Sequence, residues 1–130
     1  MQIRTDIAHI NKPAKEVFDF LSNFKNYTKV MPAEISDWKA TEDHCTFKKD
    51  KFVNIGMQFE DKTPNSEIKI IDYAKNAFPY SLTILIKEIE SNSSSTQMIF
   101  EGTPNAFLKL VVQKPLSIFF NNLNQSLKNI

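Results

Sequence analysis

The chain has 130 residues, a net charge of +1, two glycines and one cysteine, and its length suits one domain spanning residues 1–130. The nearly neutral charge, with acids and bases interspersed, argues against the basic surface that nucleic-acid-binding proteins need. The scarcity of glycine argues against phosphate-binding loops, and the single cysteine excludes an intramolecular disulfide.

The sequence also lacks the usual membrane and secretion signals. No segment carries about 18 consecutive apolar residues, so neither a membrane-spanning helix nor stable membrane insertion is expected. The first six residues, MQIRTD, lack the apolar run of a signal peptide. The lone Cys45 suits a reducing compartment. These features together predict a cytoplasmic protein.

The chain should begin with one strand and two short helices. Over residues 2–9 the odd-numbered residues differ in polarity from the even-numbered ones, and this two-residue period predicts a half-buried first strand. Pro13 opens a helix, and the segment 23–27 breaks it. A second short helix should then run to about Met31 and stop at Pro32.

Six further strands should follow, separated by short turns. Periodicity and turn residues place them at residues 35–40, 44–49, 52–62, 67–73, 78 or 80 to 88, and 96–101. The fifth of these is the clearest, because Leu82, Ile84 and Ile86 share one face. Connections this short imply that successive strands are antiparallel, which favours an α+β domain with helices on one face of the sheet.

The last quarter of the chain predicts a long helix with Asn105 as its N-cap. Its main apolar stripe comprises Leu108, Val112, Leu116, Phe119, Leu123 and Leu127. Off that stripe lie Phe107, Leu110, Val111 and Ile118. A helix that is apolar nearly all round in its first half must be gripped by other elements. Pro115 should kink the helix or end its first half, either as a bend that follows the sheet or as a hinge that opens a cavity.

Three segments resemble the START/Bet v 1-like helix-grip superfamily (SRPBCC), which includes lipid-transfer domains, polyketide cyclases and aromatases, and quinone-binding proteins. Residues 10–21, INKPAKEVFDFL, resemble the start of its first helix. Residues 26–32, NYTKVMP, resemble its short second helix, and residues 104–108, PNAFL, resemble the start of its gripping helix. The resemblance spans essentially the whole chain and identifies it as a small, bacterial-type member. It implies a curved antiparallel sheet of about six to seven strands wrapped around the long C-terminal helix, with two short helices after the first strand.

A concave sheet closed by an apolar helix would enclose a cavity for a small hydrophobic molecule. The protein would then bind or transport a lipid, a quinone or a polyketide-like ligand without catalysis, as a monomer or weak homodimer. The residues expected to line the cavity are Trp38, Phe47, Met57, Phe59, Ile70, Tyr80, Leu82, Ile84, Met98, Phe100, Leu108, Val112 and Phe119. Trp38 and Tyr80 would either orient a ligand through their polar tips or only fill the core.

Two other hypotheses compete with the carrier. The protein could be an interaction module, chaperone- or ribosome-directed, with a filled core and a working outer surface. A polyketide cyclase or aromatase is a third hypothesis, which needs polar groups that converge on the cavity. We further expect Phe107, Val111 and Ile118 to contact either the first helices or a partner surface.

The sequence offers few groups for chemistry. His9 and His44 are the only histidines, and with Cys45 they are too few and too distant for a metal site. His44 and Cys45 are adjacent on a strand and point to opposite faces, so they cannot form a nucleophile pair. Asp72 and Glu88 lie near the ends of their strands, on the same face as the apolar residues of those strands. They could therefore contact a ligand at the mouth of the cavity. We predict no catalytic residue, no metal and no cofactor.

Overall fold

The computed structural model describes residues 1–50 and 53–130. The strands are β1 (Gln2–Arg4), β2 (Ala8–Ile10), β3 (Ile35–Ala40), β4 (His44–Lys49), β5 (Val53–Thr63), β6 (Glu67–Asp72), β7 (Tyr80–Glu90) and β8 (Ser93–Gly102). The helices are α1 (Ala14–Leu21), a 3₁₀ helix (Phe24–Lys29), α2 (Ala106–Ser126) and a final 3₁₀ turn (Leu127–Asn129). Lys51 and Phe52, which the sequence assigns to a turn and to the start of a strand, lie outside the described residues.

The strands form one antiparallel sheet in the order β1-β8-β7-β6-β5-β4-β3, and β2 also pairs with β8. The long helix α2 and the shorter helices complete an α+β helix-grip fold, as predicted. The sheet has eight strands in the described residues, rather than six or seven. The additional strand arises at the start of the chain.

The first predicted strand, residues 2–9, is interrupted. Arg4 pairs with Ile99, whereas Ala8 pairs with Thr96. An advance of four residues, from Arg4 to Ala8, is therefore matched by an advance of only three residues along β8. The surplus residue cannot join the ladder, and the strand divides into β1 and β2. Between them the Thr5 hydroxyl accepts a 2.9 Å hydrogen bond from the Met98 backbone N–H.

The second short helix is a 3₁₀ helix that ends at Lys29. The Asn23 side chain caps it by accepting a hydrogen bond from the Lys25 backbone N–H, which satisfies one of the free donors at the helix start. The break predicted around residues 23–27 is therefore the cap and first turn of this helix.

The two α-helices cover different parts of the sheet. Helix α1 packs mainly against β6, β7 and β8, and α2 packs mainly against β1 and β8. On β7, Leu82, Ile84 and Ile86 are buried as their alternation predicts. They belong to one core cluster that also includes Leu116 and Phe119 of α2.

Candidate functional site

A chain of aromatic rings crosses the space between the sheet and α2. Trp38 on β3 lies 5.8 Å from Phe47 on β4, centroid to centroid, and Phe47 lies 5.6 Å from Phe119 on α2. Phe119 contacts Phe120 at 5.3 Å, and Phe120 stacks on Phe100 of β8 at 5.0 Å. Ring contacts of this kind bury large apolar areas. The rings therefore fill much of the space in which a ligand cavity was expected.

Phe120 is fully buried, although the predicted stripe does not include it. The signal was present, since Phe120 lies four residues after Leu116 and three before Leu123, and both spacings return to the same helix face. The inward face of α2 is therefore wider than the predicted stripe.

The indole N–H of Trp38 and the hydroxyl of Tyr80 both form hydrogen bonds with other groups of the protein. The Trp38 indole N–H donates a 2.8 Å hydrogen bond to the Thr28 hydroxyl. The Tyr80 hydroxyl donates to the Gly56 backbone carbonyl, and burial raises the pKa of Tyr80 far above its usual range. In this structure both side chains complete the core rather than offer a free polar group to the interior.

The remaining predicted lining residues lie in three places. Six of them are buried in the core, namely Met57, Ile70, Leu82, Ile84, Met98 and Val112. Leu108, at the start of α2, is half-buried. Phe59 lies elsewhere, because it stacks on Phe24 of the 3₁₀ helix at 4.1 Å and the Lys62 ammonium sits 4.1 Å from its ring centroid. Their role in ligand binding stays a prediction.

Two apolar cavities lie beneath the first half of α2. The inner cavity, about 20 Å³, is lined mainly by Val53, Ile55, Phe78, Tyr80, Phe100 and Leu116. The outer cavity, about 130 Å³, is lined by Val53, Val111, Val112, Pro115, Leu116 and the Lys49–Asp50 ion pair. Val53 and Leu116 border both, so these two side chains stand between the cavities.

The second half of α2 is anchored by asparagine side chains. Asn124 is fully buried, and its amide donates to the backbone carbonyls of Asp6 and Thr96 at 2.8 and 3.1 Å. Its carbonyl accepts from the Thr96 hydroxyl at 2.8 Å. The Asn121 side chain accepts from the Asp6 backbone N–H at 2.9 Å. These bonds hold the second half of α2 to the junction of β1 and β2.

The first half of α2 is held much less firmly. Asn105 caps it by accepting from the Leu108 backbone N–H at 2.8 Å, and residues 105–111 are exposed apart from the half-buried Leu108. The helix continues through Pro115, so of the two predicted effects of Pro115, a kink or an end to the first half, the second is wrong. Because proline has no backbone N–H, the helical hydrogen bond at that position is missing. Pro115 thus marks the border between the weakly and firmly held halves.

The residues predicted off the main stripe do not contact the first helices. Phe107, Leu110, Val111 and Ile118 are 75%, 85%, 45% and 51% exposed, and α1 packs mainly against the sheet. The exposure of Phe107, Val111 and Ile118 argues against the first of the two predicted contacts, packing on the first helices, and the second, a partner surface, stays a prediction. They form an apolar surface on the outside of α2.

The few candidate groups for chemistry are dispersed. His44 stacks on the Tyr73 ring at 4.2 Å, and Cys45, on the same strand, is buried. The Asp72 side chain accepts a hydrogen bond from the Tyr80 backbone N–H at 3.3 Å, and Glu88 is exposed. Among the described residues, no group of three or more His, Cys, Asp or Glu side chains could hold a metal ion.

Alkaline pH should destabilise the fold through its buried acids. Burial raises the pKa of Cys45 from 9.0 to about 12, and it raises the pKa of Tyr27 and Tyr80 as well. In the unfolded chain these groups ionise first, so the free energy of unfolding should be constant below about pH 8 and fall from about pH 9 upward. Urea denaturation at a series of pH values measures this. Cys45→Ala should reduce the slope, and a flat profile up to about pH 11 would contradict the assignment.

None of the helices in the described ranges has the length and apolar character needed to cross a bilayer.

Comparison with known proteins finds similar solved structures but no matching family profile or curated sequence. No protein-family profile matches the chain, and no curated protein matches its sequence. Among solved structures, a protein from Thermus thermophilus aligns with a TM-score of 0.76 at 14% identity, covering 99% of this chain and 95% of that one. A START superfamily protein from Mycobacterium smegmatis aligns with a TM-score of 0.70 at 12% identity, covering 98% and 94%.

The di-domain ARO/CYC protein BexL, of the BE-7585A biosynthetic pathway, aligns with a TM-score of 0.66 at 12% identity. The alignment covers 98% of this chain but 46% of BexL, so the present chain corresponds to about half of that protein. Identities this low establish the fold and no particular activity. Together with the sheet order and the long terminal helix, these alignments show that this chain has a helix-grip fold similar to that of the START superfamily protein from Mycobacterium smegmatis.

Proposed function

We propose that the protein binds a small apolar molecule, such as a lipid, a quinone or a polyketide-like compound, beneath the first half of α2. The observation that carries this proposal is the pair of apolar cavities on either side of Val53 and Leu116. A pocket lined mainly by apolar side chains gains binding free energy from the area that the ligand buries. The START superfamily protein and the ARO/CYC protein among the structural neighbours support a ligand-binding fold.

The cavities must grow to admit such a ligand. A dry apolar cavity of roughly 150 Å³ holds a molecule the size of benzene, which is close to the outer cavity's volume of about 130 Å³. A longer molecule would need the inner and outer cavities to merge, which requires the Leu116 side chain, directly after Pro115, to change its rotamer.

The first half of α2 is suited to such a movement. Segments with few buried apolar contacts open at a low cost in free energy, and residues 105–111 are mostly exposed. Pro115 weakens the helix at the boundary of this segment, since it donates no hydrogen bond. The anchored second half, around Asn124, would stay in place. In this proposal Pro115 acts as a hinge.

Shortening Leu116 should strengthen ligand binding. Leu116→Ala removes the side chain between the two cavities and should increase the affinity for a fluorescent fatty-acid or quinone probe by about tenfold, while lowering the free energy of unfolding by about 2–5 kcal/mol. Probe titration followed by fluorescence, alongside urea denaturation, measures both effects.

Leu123→Ala provides the matched control. Leu123 is also fully buried on α2 but lines neither cavity, so its truncation should destabilise the fold without raising probe affinity. If neither the native protein nor Leu116→Ala binds any lipid, quinone or polyketide probe, the carrier function is wrong.

A protein interaction module is the second candidate, because one set of observations favours it. The aromatic rings from Trp38 to Phe100 fill the core, and the outside of α2 carries exposed apolar residues. A chaperone- or ribosome-directed protein would use such an outer surface and need no cavity. Absence of probe binding together with a stable complex formed by the intact protein would favour this candidate.

A cyclase or aromatase has less support. The polar side chains that border the inner cavity are Asn54, Asn76 and Tyr80. Asn76 accepts from the Gly56 backbone N–H at 2.9 Å and donates to the Tyr73 carbonyl at 2.7 Å, and the Tyr80 hydroxyl is also hydrogen-bonded. Groups committed to the backbone in this way are poorly placed to transfer protons to a substrate.

A further inference from the structure

Helix α2 has two apolar faces, and the second one faces outward. We call Phe107, Leu110, Val111 and Ile118 the outer stripe. At about 100° per residue these four positions lie within roughly one third of the helix circumference, on the side away from the buried Leu116 and Phe119. Phe107 and Leu110 are the most exposed, at 75% and 85%. Exposed apolar residues clustered in this way usually mark a binding surface.

Positive charge borders the outer stripe. A groove of about 560 Å³ between β1 and α2 is lined by Arg4, Lys109 and Lys114, together with Leu110 of the stripe, and its lining includes no carboxylate. No aspartate or glutamate occurs anywhere in residues 102–130. The chain as a whole has a net charge of only +1, so this face concentrates cations beside apolar side chains.

This charge pattern argues against a second copy as the occupant. Pairing two α2 helices through the outer stripe about a twofold axis would bring Lys114 of both copies into the contact, and α2 supplies no carboxylate to balance them. Like charges in contact oppose association. Four partly exposed side chains also fall well short of the about 800 Å² per partner that a stable protein interface buries.

Neither the repulsion between like charges nor the small apolar area argues against a lipid surface. A bilayer accepts individual protruding apolar side chains at the boundary between headgroups and acyl chains, and no matching protein surface is required. Lysine and arginine next to such side chains are attracted by anionic headgroups. The outer stripe of α2 and the cations of the neighbouring groove, which include Arg4 of β1, supply both features.

We propose that the outer stripe docks this protein on the surface of an anionic bilayer. Phe107 and Leu110 enter the headgroup boundary. Lys114, on the same side of α2, meets the lipid phosphates together with Arg4 and Lys109 of the neighbouring groove. Val111 belongs to the outer stripe and also lines the outer cavity, so docking places the cavity at the membrane surface. The contact is peripheral and does not depend on the proposed ligand-binding function.

Vesicle flotation without any added ligand tests the proposal. The native protein should bind vesicles of phosphatidylcholine containing about 30 mol% phosphatidylglycerol, bind pure phosphatidylcholine at least about tenfold more weakly, and be released by high salt. The double variant Phe107→Ser, Leu110→Ser should lower partitioning into the anionic vesicles at least about tenfold. The double variant Lys109→Glu, Lys114→Glu should do the same.

Matched controls lie on β7. Ile89 is 49% exposed and Lys87 is exposed on the same strand, so Ile89→Ser and Lys87→Glu should leave vesicle binding unchanged. Since all the substituted side chains of α2 are exposed, circular dichroism should show an intact fold in each variant.

Three results would overturn the proposal. The first is absence of binding to anionic vesicles, and the second is binding that both double variants leave unchanged. The third is a dimer, seen by analytical ultracentrifugation, that Phe107→Ser, Leu110→Ser dissociates while vesicles are not bound, because a second copy would then cover the stripe. Binding of an acidic polypeptide in place of vesicles would assign the surface to a protein partner instead. Probe binding by the same samples separates failure of docking from failure of the carrier function.

Discussion

Phe119→Ala is expected to lower the free energy of unfolding by about 3–5 kcal/mol. The Phe119 ring is fully buried and contacts both Phe47 and Phe120. Its removal deletes those contacts and leaves a void that the surrounding core closes only partly. Urea denaturation followed by circular dichroism measures the loss.

The same variant discriminates between a filled core and a ligand cavity. Phe107→Ala, on the same helix but 75% exposed, is the control and should change stability by less than about 0.5 kcal/mol. If Phe119→Ala cost less than about 1 kcal/mol and altered probe affinity, the ring would already lack packing partners on one side. A large loss without any change in binding would show that the ring belongs to a filled core. Because Phe119 lines neither cavity, that result would leave ligand binding around Leu116 unaffected.

Gly56→Ala should be among the most damaging small substitutions in this protein. A Cβ atom at residue 56 would lie 1.8 Å from the Tyr73 carbonyl oxygen. That carbonyl belongs to the backbone, and the Tyr73 N–H donates a 3.0 Å hydrogen bond to the Gly56 carbonyl, so neither segment can retreat without breaking pairing. We expect a loss of about 3 kcal/mol or more, at the upper end of the range for overpacking, measured by chemical denaturation.

Gly102→Ala is the matched comparison. There the added Cβ would meet the Phe78 ring at 2.6 Å, and Phe78 is a half-buried side chain that can rotate away. Its cost should therefore be smaller, about 1–2 kcal/mol. Equal losses for the two variants would show that the close approach of Tyr73 to Gly56 is not what requires glycine at residue 56.

The sequence predicted those elements whose pattern is local. Leu82, Ile84 and Ile86 alternate along β7, and Asn105 caps α2 where the apolar stripe begins, so both elements could be located from residue spacing alone. The division of the first strand could not be predicted in this way. It depends on the register in which β1 and β2 pair with β8, some ninety residues away. The alternation of residues along a strand does not reveal how that strand aligns with a distant one.

The candidate site was less predictable than the fold. Periodicity indicates which face of a strand or helix turns inward, but not whether the rings on opposing faces meet. The contacts of Phe119 with Phe47 and Phe120 depend on three-dimensional packing, and so does the volume left around Leu116. Phe59 has the expected parity and pairs in register with Ile70, yet it stacks on Phe24 of the 3₁₀ helix, a contact that the periodicity of β5 does not predict.

The attachment of β1 and β2 to the far end of the chain also governs the order of folding. Thr5 bonds to Met98 across 93 positions, and Asp6 bonds to Asn124 across 118. Closing loops this long costs more chain entropy than forming the hairpins from β4 to β7. During synthesis the first strands therefore emerge from the ribosome well before any partner exists for them, and Ile3 and Ile10 stay exposed until β8 and α2 have been made. Among these eight strands, β1 and β2 are synthesised before the others and are among the last to become protected.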